Sequence, residues 1–135
     1  ILSSAASDVY KRQEYVPATI SGRELIMEGT DMRVQILTLD EGESIPWHFH
    51  SEITDYFVCL EGTLVVETKA PSNTHFLEVG ERCSVSPMNA HYVHGLEMSK
   101  AKFLILQGVG VYDNIPVGVN KLSYRQGPQE QDDKE

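Results

Sequence analysis

The chain has 135 residues, 41% of them apolar and 23% charged, which suits one soluble domain large enough to bury a core without disulfide staples. Its 11 basic and 20 acidic residues leave a net charge of −9, which argues against nucleic acid or an anionic membrane surface as partner. No apolar run approaches the ~20 residues of a membrane-spanning helix. The two cysteines, Cys59 and Cys83, are too few for a disulfide framework and sit in apolar contexts, so they read as buried free thiols.

The first segment, Ile1 to Gln13, has no useful periodicity. Its Asp8-Val9-Tyr10-Lys11-Arg12-Gln13 matches the translation of a transposase adapter used in preparing sequencing libraries. It therefore reads as a non-native leader on a metagenome-derived bacterial gene, and residues 1–13 are set aside from fold reasoning. With the native N-terminus in question, a cytoplasmic location is only the default expectation. Residues 14–125 then form the domain. Gln126 to Glu135, with four acids and one base around Gly127 and Pro128, reads as a disordered acidic tail.

Within the domain, β-rich runs alternate with turn residues. Met32–Leu39 is a strand, followed by the turn Asp40-Glu41-Gly42-Glu43 and a strand over Ser44–His50. Asp55–Leu60 and Thr63–Thr68 make a hairpin about Glu61-Gly62. Pro71-Ser72-Asn73 turns into His75–Val79, and Gly80-Glu81 turns into Arg82–Ser86. His91–Glu97 and Lys102–Gln107 complete the series. Turns every 8–12 residues, with no helical period, indicate an all-β sandwich or barrel. Phe103-Leu104-Ile105-Leu106 is apolar on both parities, as in a strand covered on both faces.

Five histidines carry the candidate chemistry: His48, His50, His75, His91 and His94. His48 and His50 lie two apart in a strand, so both rings leave one face while Trp47 and Phe49 leave the other. Two such imidazoles can converge on one first-row divalent ion, or they can be merely polar and exposed. By the same parity His91 shares a face with Val93, and His94 with Tyr92. His75 falls on the face of Leu77 and Val79 and reads as a partly buried structural residue.

Gly42, His48, His50, Asp55 and Gly62 follow the spacing G-x5-H-x-H-x4-D-x6-G. This resembles the first signature motif of the cupin superfamily, whose usual form has Glu where this chain has Asp55. After a gap of seventeen residues, Gly80, Ser86, Met88 and His91 stand in register with the second motif. Ser86 and Met88 replace its usual Pro and Gly, and Pro87 and Asn89 stand one place along. The resemblance implies a double-stranded β-helix, a jelly-roll barrel with one divalent ion inside (Fe, Mn, Ni or Zn). It implies His48, His50, Asp55 and His91 as the ligand set, and it selects His91 over His94. Asp55 is a methylene shorter than Glu, so it either ligates directly or orients an imidazole; Glu52 is a rival carboxylate. If Asp55 points inward, so do Phe57 and Cys59, either lining the site or packing the core. Tyr56, Tyr92 and Glu67 are available as further acids or bases, but parity sets Tyr56 opposite Asp55.

Cupins include metal-dependent dioxygenases, sugar isomerases and epimerases, decarboxylases and non-catalytic binding or storage proteins. The sequence accordingly supports a small metalloenzyme, dioxygenase-like or isomerase-like, acting on a small organic molecule. A binding module without turnover is the alternative, and a metal that only stabilises the barrel is a third. The apolar Phe103–Leu106 strand, with Trp47 and Phe49 on the outer wall, predicts a homodimer.

Overall fold

Short strands punctuated by turns leave a chain one economical way to bury its apolar residues, which is to stack two sheets face to face. The computed structural model describes residues 17–117; the expectations for 1–13 and 126–135 lie outside the described residues. Its strands are β1 (Gly22–Glu28), β2 (Met32–Leu39), β3 (Ser44–Phe49), β4 (Thr54–Glu61), β5 (Leu64–Lys69), β6 (Ser72–Leu77), β7 (Arg82–Val85), β8 (His91–Gly95), β9 (Ala101–Gly108) and β10 (Ile115–Pro116). They make two five-stranded sheets, in the orders β1-β2-β9-β4-β7 and β10-β3-β8-β5-β6. Every pairing is antiparallel, and from β2 to β5 the chain changes sheet at each turn. Among the described residues no helix is long and apolar enough to cross a membrane.

The period-2 pattern decides what faces inward. On β2, Leu37 and Leu39 are buried between half-buried neighbours; on β9, Phe103 and Ile105 are buried while Leu104 and Leu106 are turned outward. Phe57, Leu64, Val66 and Val93 join them in one core cluster. Each such side chain contributes roughly 1.5–3 kcal/mol on burial. The core fills one end of the space between the sheets and leaves the other end to polar residues.

Two strands were not expected. Six of the seven residues of β1 are exposed, including Leu25, Ile26 and Met27, so no alternation marks it; it is an edge strand held by its ladder to β2. β10 is only two residues long and ends in Pro116, which is tolerable on a sheet edge. Three predicted boundaries also move. The 71–73 turn sits instead at Ala70-Pro71, so β6 starts at Ser72 and stops at Leu77, with Val79 exposed. The strand from His91 ends at Gly95 rather than Glu97, and a 3-10 turn follows over Leu96–Met98. There the Ser99 carbonyl approaches so closely that a Cβ on residue 95 would overlap it.

Gly62 is the other glycine with a visible reason. It takes φ +74° in the β4–β5 hairpin, and a side chain would run into the Lys100 carbonyl. That tight turn fixes the register of β4, and with it the face from which Asp55 projects.

Candidate metal centre

β3 carries a bulge. Ile45 opposes Val93 and His48 opposes His91, so Pro46 and Trp47 together span what one residue spans on β8. The bulge lets Ile45 and His48 both point inward despite being three apart, and it houses Pro46 where a ladder donor is not needed. Past it, His48 and His50 share the inner face, and both are buried. His91 enters from β8 directly across from His48, and Asp55 comes from β4 in the opposite sheet. All four are at most 6% exposed.

The rings meet at close range. Centroids lie 4.3 Å apart for His48–His91, 4.9 Å for His48–His50 and 5.3 Å for His50–His91. One potential ligand atom from each of the four residues lies within 4.8 Å of the others, a group that could hold a metal ion.

The hydrogen bonds say which ring atoms are available. Nδ1 of His48 lies 2.8 Å from the Pro46 carbonyl, Nδ1 of His50 is 2.6 Å from the Asp113 carbonyl, and Nδ1 of His91 is 2.8 Å from the Asn89 carbonyl. A carbonyl oxygen only accepts, so each Nδ1 donates. In a neutral ring the proton is then used up, and Nε2 presents a lone pair. Nε2 of His50 and of His91 point at the same oxygen, Asp55 Oδ2, at 3.0 and 2.9 Å. Two lone pairs and a carboxylate oxygen do not attract one another. A positive centre has to lie among them, either protons on the rings or a bound cation.

Electrostatics favours a neutral His48. Burial pushes the pKa of His48 well below its ordinary value, and the neighbouring His91 and His50 push it further in the same direction. Burial alone would raise the carboxyl of Asp55, but the adjacent His50 and His91 outweigh it and hold the group well below the usual range. The cluster is therefore a carboxylate among buried imidazoles, the donor set that first-row divalent ions take.

Asp55 is itself held in place. Its Oδ1 accepts from Gln107 Nε2 at 3.0 Å, and Gln107 Oε1 accepts from Arg33 Nη2 at 3.0 Å. Gln107 sits opposite Asp55 on one side and Arg33 on the other, a row across β4, β9 and β2. The sequence reading did not single out Arg33 or Gln107. Their position on the inner parity of two predicted strands was the available signal.

The rival residues lie elsewhere. Glu52 is exposed and accepts from the Val111 backbone N–H at 3.2 Å. His94 is on the outer face, its Nε2 2.7 Å from Glu67 Oε2 and its ring 4.6 Å from Tyr92. Trp47 is on that face too, under Lys69 and beside Tyr92. His75 is half-buried on β6, away from the cluster. Cys59 is fully buried in the core and lines no part of the site, while Phe57 does both. Burial raises both thiols, that of Cys83 to about 11, so neither is poised to react.

Met88, where the second motif has Gly, takes φ 69°, and its N–H bonds the His50 carbonyl at 2.8 Å. The left-handed turn is kept without the glycine that would make it easy. Asn89 then holds the β5–β6 turn through the Ala70 N–H at 2.8 Å and carries the carbonyl that orients His91.

The family model of the cupin domain matches residues 35–110. The chain belongs to the cupin family. Solved structures share the fold at low identity. KdgF from Halomonas sp. aligns at 17% identity and TM-score 0.57, over 64% of this chain and 76% of that one. An uncharacterised Klebsiella pneumoniae protein with a double-stranded β-helix domain aligns at 18% and 0.61, over 87% and 96%. A cupin superfamily protein from Desulfitobacterium hafniense aligns at 13% and 0.58, over 75% and 87%. Comparison with curated protein sequences gives no match. The barrel is thus a cupin double-stranded β-helix, as the sequence motifs implied.

Proposed function

We propose that this cupin binds one divalent first-row metal ion through His48, His50, Asp55 and His91, and acts as a metal-dependent enzyme on a small organic molecule. The observation that supports this is the convergence of four potential ligand atoms: three imidazoles with Nδ1 committed to carbonyls, around an ionised carboxylate. A bound ion of this class supplies Lewis acidity and, if it is Fe(II), redox chemistry. The chain's own residues do the rest. The carbonyls of Pro46, Asp113 and Asn89 fix the ring tautomers, and Gln107 fixes the carboxylate. Leu37, Ile45, Phe57, Val93 and Ile105 make an apolar wall beside His48 and Asp55 that limits water. Such a wall suits an organic ligand.

One observation favours a binding protein without turnover as the second reading. Apart from the cluster, the ionisable groups lining the cavity among the described residues are Arg23, Arg33 and Tyr112, with no further carboxylate or histidine to move a proton. Oxygen uptake and product NMR on metal-loaded protein, screened over small aromatic acids, diketones, thiols and sugars, separate the two. Turnover that disappears on chelation is the expected result, and tight binding without turnover on any of them would favour the second.

The proposal extends to a homodimer and to a cytoplasmic home. Val34, Ile36, Val58, Leu104 and Leu106 form an apolar stripe on the outer face of the β1-β2-β9-β4-β7 sheet, where partial burial within one copy leaves room for a second. The free thiols Cys59 and Cys83 suit a reducing compartment.

A further inference from the structure

The space around the cluster is divided in two. A cavity of about 20 Å³, room for about one water, touches His48 and Asp55. A wider chamber of about 190 Å³ opens beside it, between the β1–β2 connection (Glu28, Gly29, Thr30, Met32) and Gly110. Three residues line both: Arg33, Gln107 and Tyr112. Anything that reaches the cluster from that chamber passes the Arg33 guanidinium.

Arg33 is unusually placed for an arginine. One N–H donates to Gln107, and the guanidinium lies 4.5 Å over the Tyr112 ring. Its Nε is sealed from water and has no hydrogen-bond partner. Among the described residues it makes no ion pair; Glu28, opposite it across the β1–β2 ladder, is exposed and does not reach it. A guanidinium is always charged and carries five N–H donors, so one polar contact and one ring leave most of its capacity unused. In a chain of net charge −9 this cation is not part of a general basic surface. The stacked, half-buried fork is the geometry that grips a carboxylate by two parallel hydrogen bonds.

We propose that the small molecule this site takes carries a carboxylate, and that Arg33 binds it in the chamber beside the cluster. The inference rests on the reading of the cluster as the place where an organic molecule is handled, and it adds the class of molecule. Gln107 then joins the two ends of the site, since its amide bonds Arg33 at one end and Asp55 at the other.

The probes are butanoate and butanamide, equal in shape and different in charge, titrated by calorimetry at constant ionic strength. Both metal-loaded and chelator-treated protein are used, because a carboxylate can also bind a metal directly. Butanoate should bind wild type at least tenfold more tightly than butanamide in both forms. Arg33→Met should remove that preference in the chelated form, and Arg33→Lys should restore part of it. Metal content is measured for each protein. Equal affinity for the two probes in chelated wild type, or an unchanged preference in chelated Arg33→Met, overturns the inference while leaving the metal reading intact. Protein that never holds metal but keeps an Arg33-dependent preference for butanoate overturns the metal reading and leaves this inference standing.

Discussion

Asp55→Asn should lower both metal affinity and the stability of the metal-free protein. Asparagine has the shape of aspartate, so its oxygen can keep the Gln107 contact at the Oδ1 position, 3.0 Å away. Its NH2 then replaces Oδ2, the atom 3.0 and 2.9 Å from Nε2 of His50 and His91. The His50 and His91 contacts that hold the carboxyl below its usual range are contacts to the ionised group, and a neutral amide loses them. At about 1.5 kcal/mol for each charge-assisted bond, the metal-free variant loses about 3 kcal/mol. For a domain of this size that lowers the Tm by roughly 8–15 °C. The metal loses a charged ligand. A unit charge within 4 Å contributes about 4 kcal/mol at an effective dielectric near 20, and a divalent ion roughly twice that before desolvation is counted. A loss of more than about 100-fold in affinity follows, beyond the ~10–100-fold expected of a residue that only orients a ligand. Calorimetric melts of chelated protein and competition titrations with a fluorescent zinc chelator measure the two effects. If chelated Asp55→Asn melts at or above wild type, the carboxylate is not held by His50 and His91 in its ionised form, and the reasoning fails.

Other consequences follow from the same geometry. His48→Ala and His91→Ala should each abolish most metal binding, while His94→Ala and His75→Ala leave it unchanged by elemental analysis; loss with His94→Ala alone would contradict the assignment of the inner face. Because His48 is held below its ordinary pKa in the fold, the unfolded chain takes that proton first as pH falls. The stability of metal-free protein should therefore decline below about pH 6.5, with Asp55, also depressed, adding its own loss only below about pH 4. Denaturant midpoints from pH 8 to 5 test this, and a rise on acidification would mean that His48 is charged in the fold. Met88 holds φ 69° with its side chain exposed, so Met88→Gly removes a left-handed penalty of about 1 kcal/mol against a smaller entropic cost. A net gain of about 0.5 kcal/mol should appear as a Tm higher by roughly 1–3 °C.

The barrel was legible because most of its strands bury one face. Met32–Leu39 appears with both ends as read; the first motif picks out His48, His50 and Asp55, the second picks out His91, and the fold brings the four together. β1 was not legible, because a strand exposed on both faces has no alternation to read. The bulge at Pro46-Trp47 was also hidden. Parity counted back from His48 places Pro46 inside, whereas the extra residue puts Ile45 there. Arg33 and Gln107 were passed over since each is an isolated polar residue in an apolar strand, and only the cross-strand register shows that they form a row with Asp55. Asp55 itself was left between two roles, ligand and orienter. Its Oδ2 faces the ring nitrogens while Gln107 occupies Oδ1, an arrangement open to both roles.

Four buried side chains that converge as these do should hold one cation. Elemental analysis of protein expressed in medium supplemented with Fe, Mn, Ni and Zn, and purified without chelator or affinity metal, tests this most directly. Close to one first-row ion per chain is expected, retained through gel filtration at pH 7.5 and lost from His91→Ala. Wild-type protein that is folded yet carries no more metal than His91→Ala would contradict it.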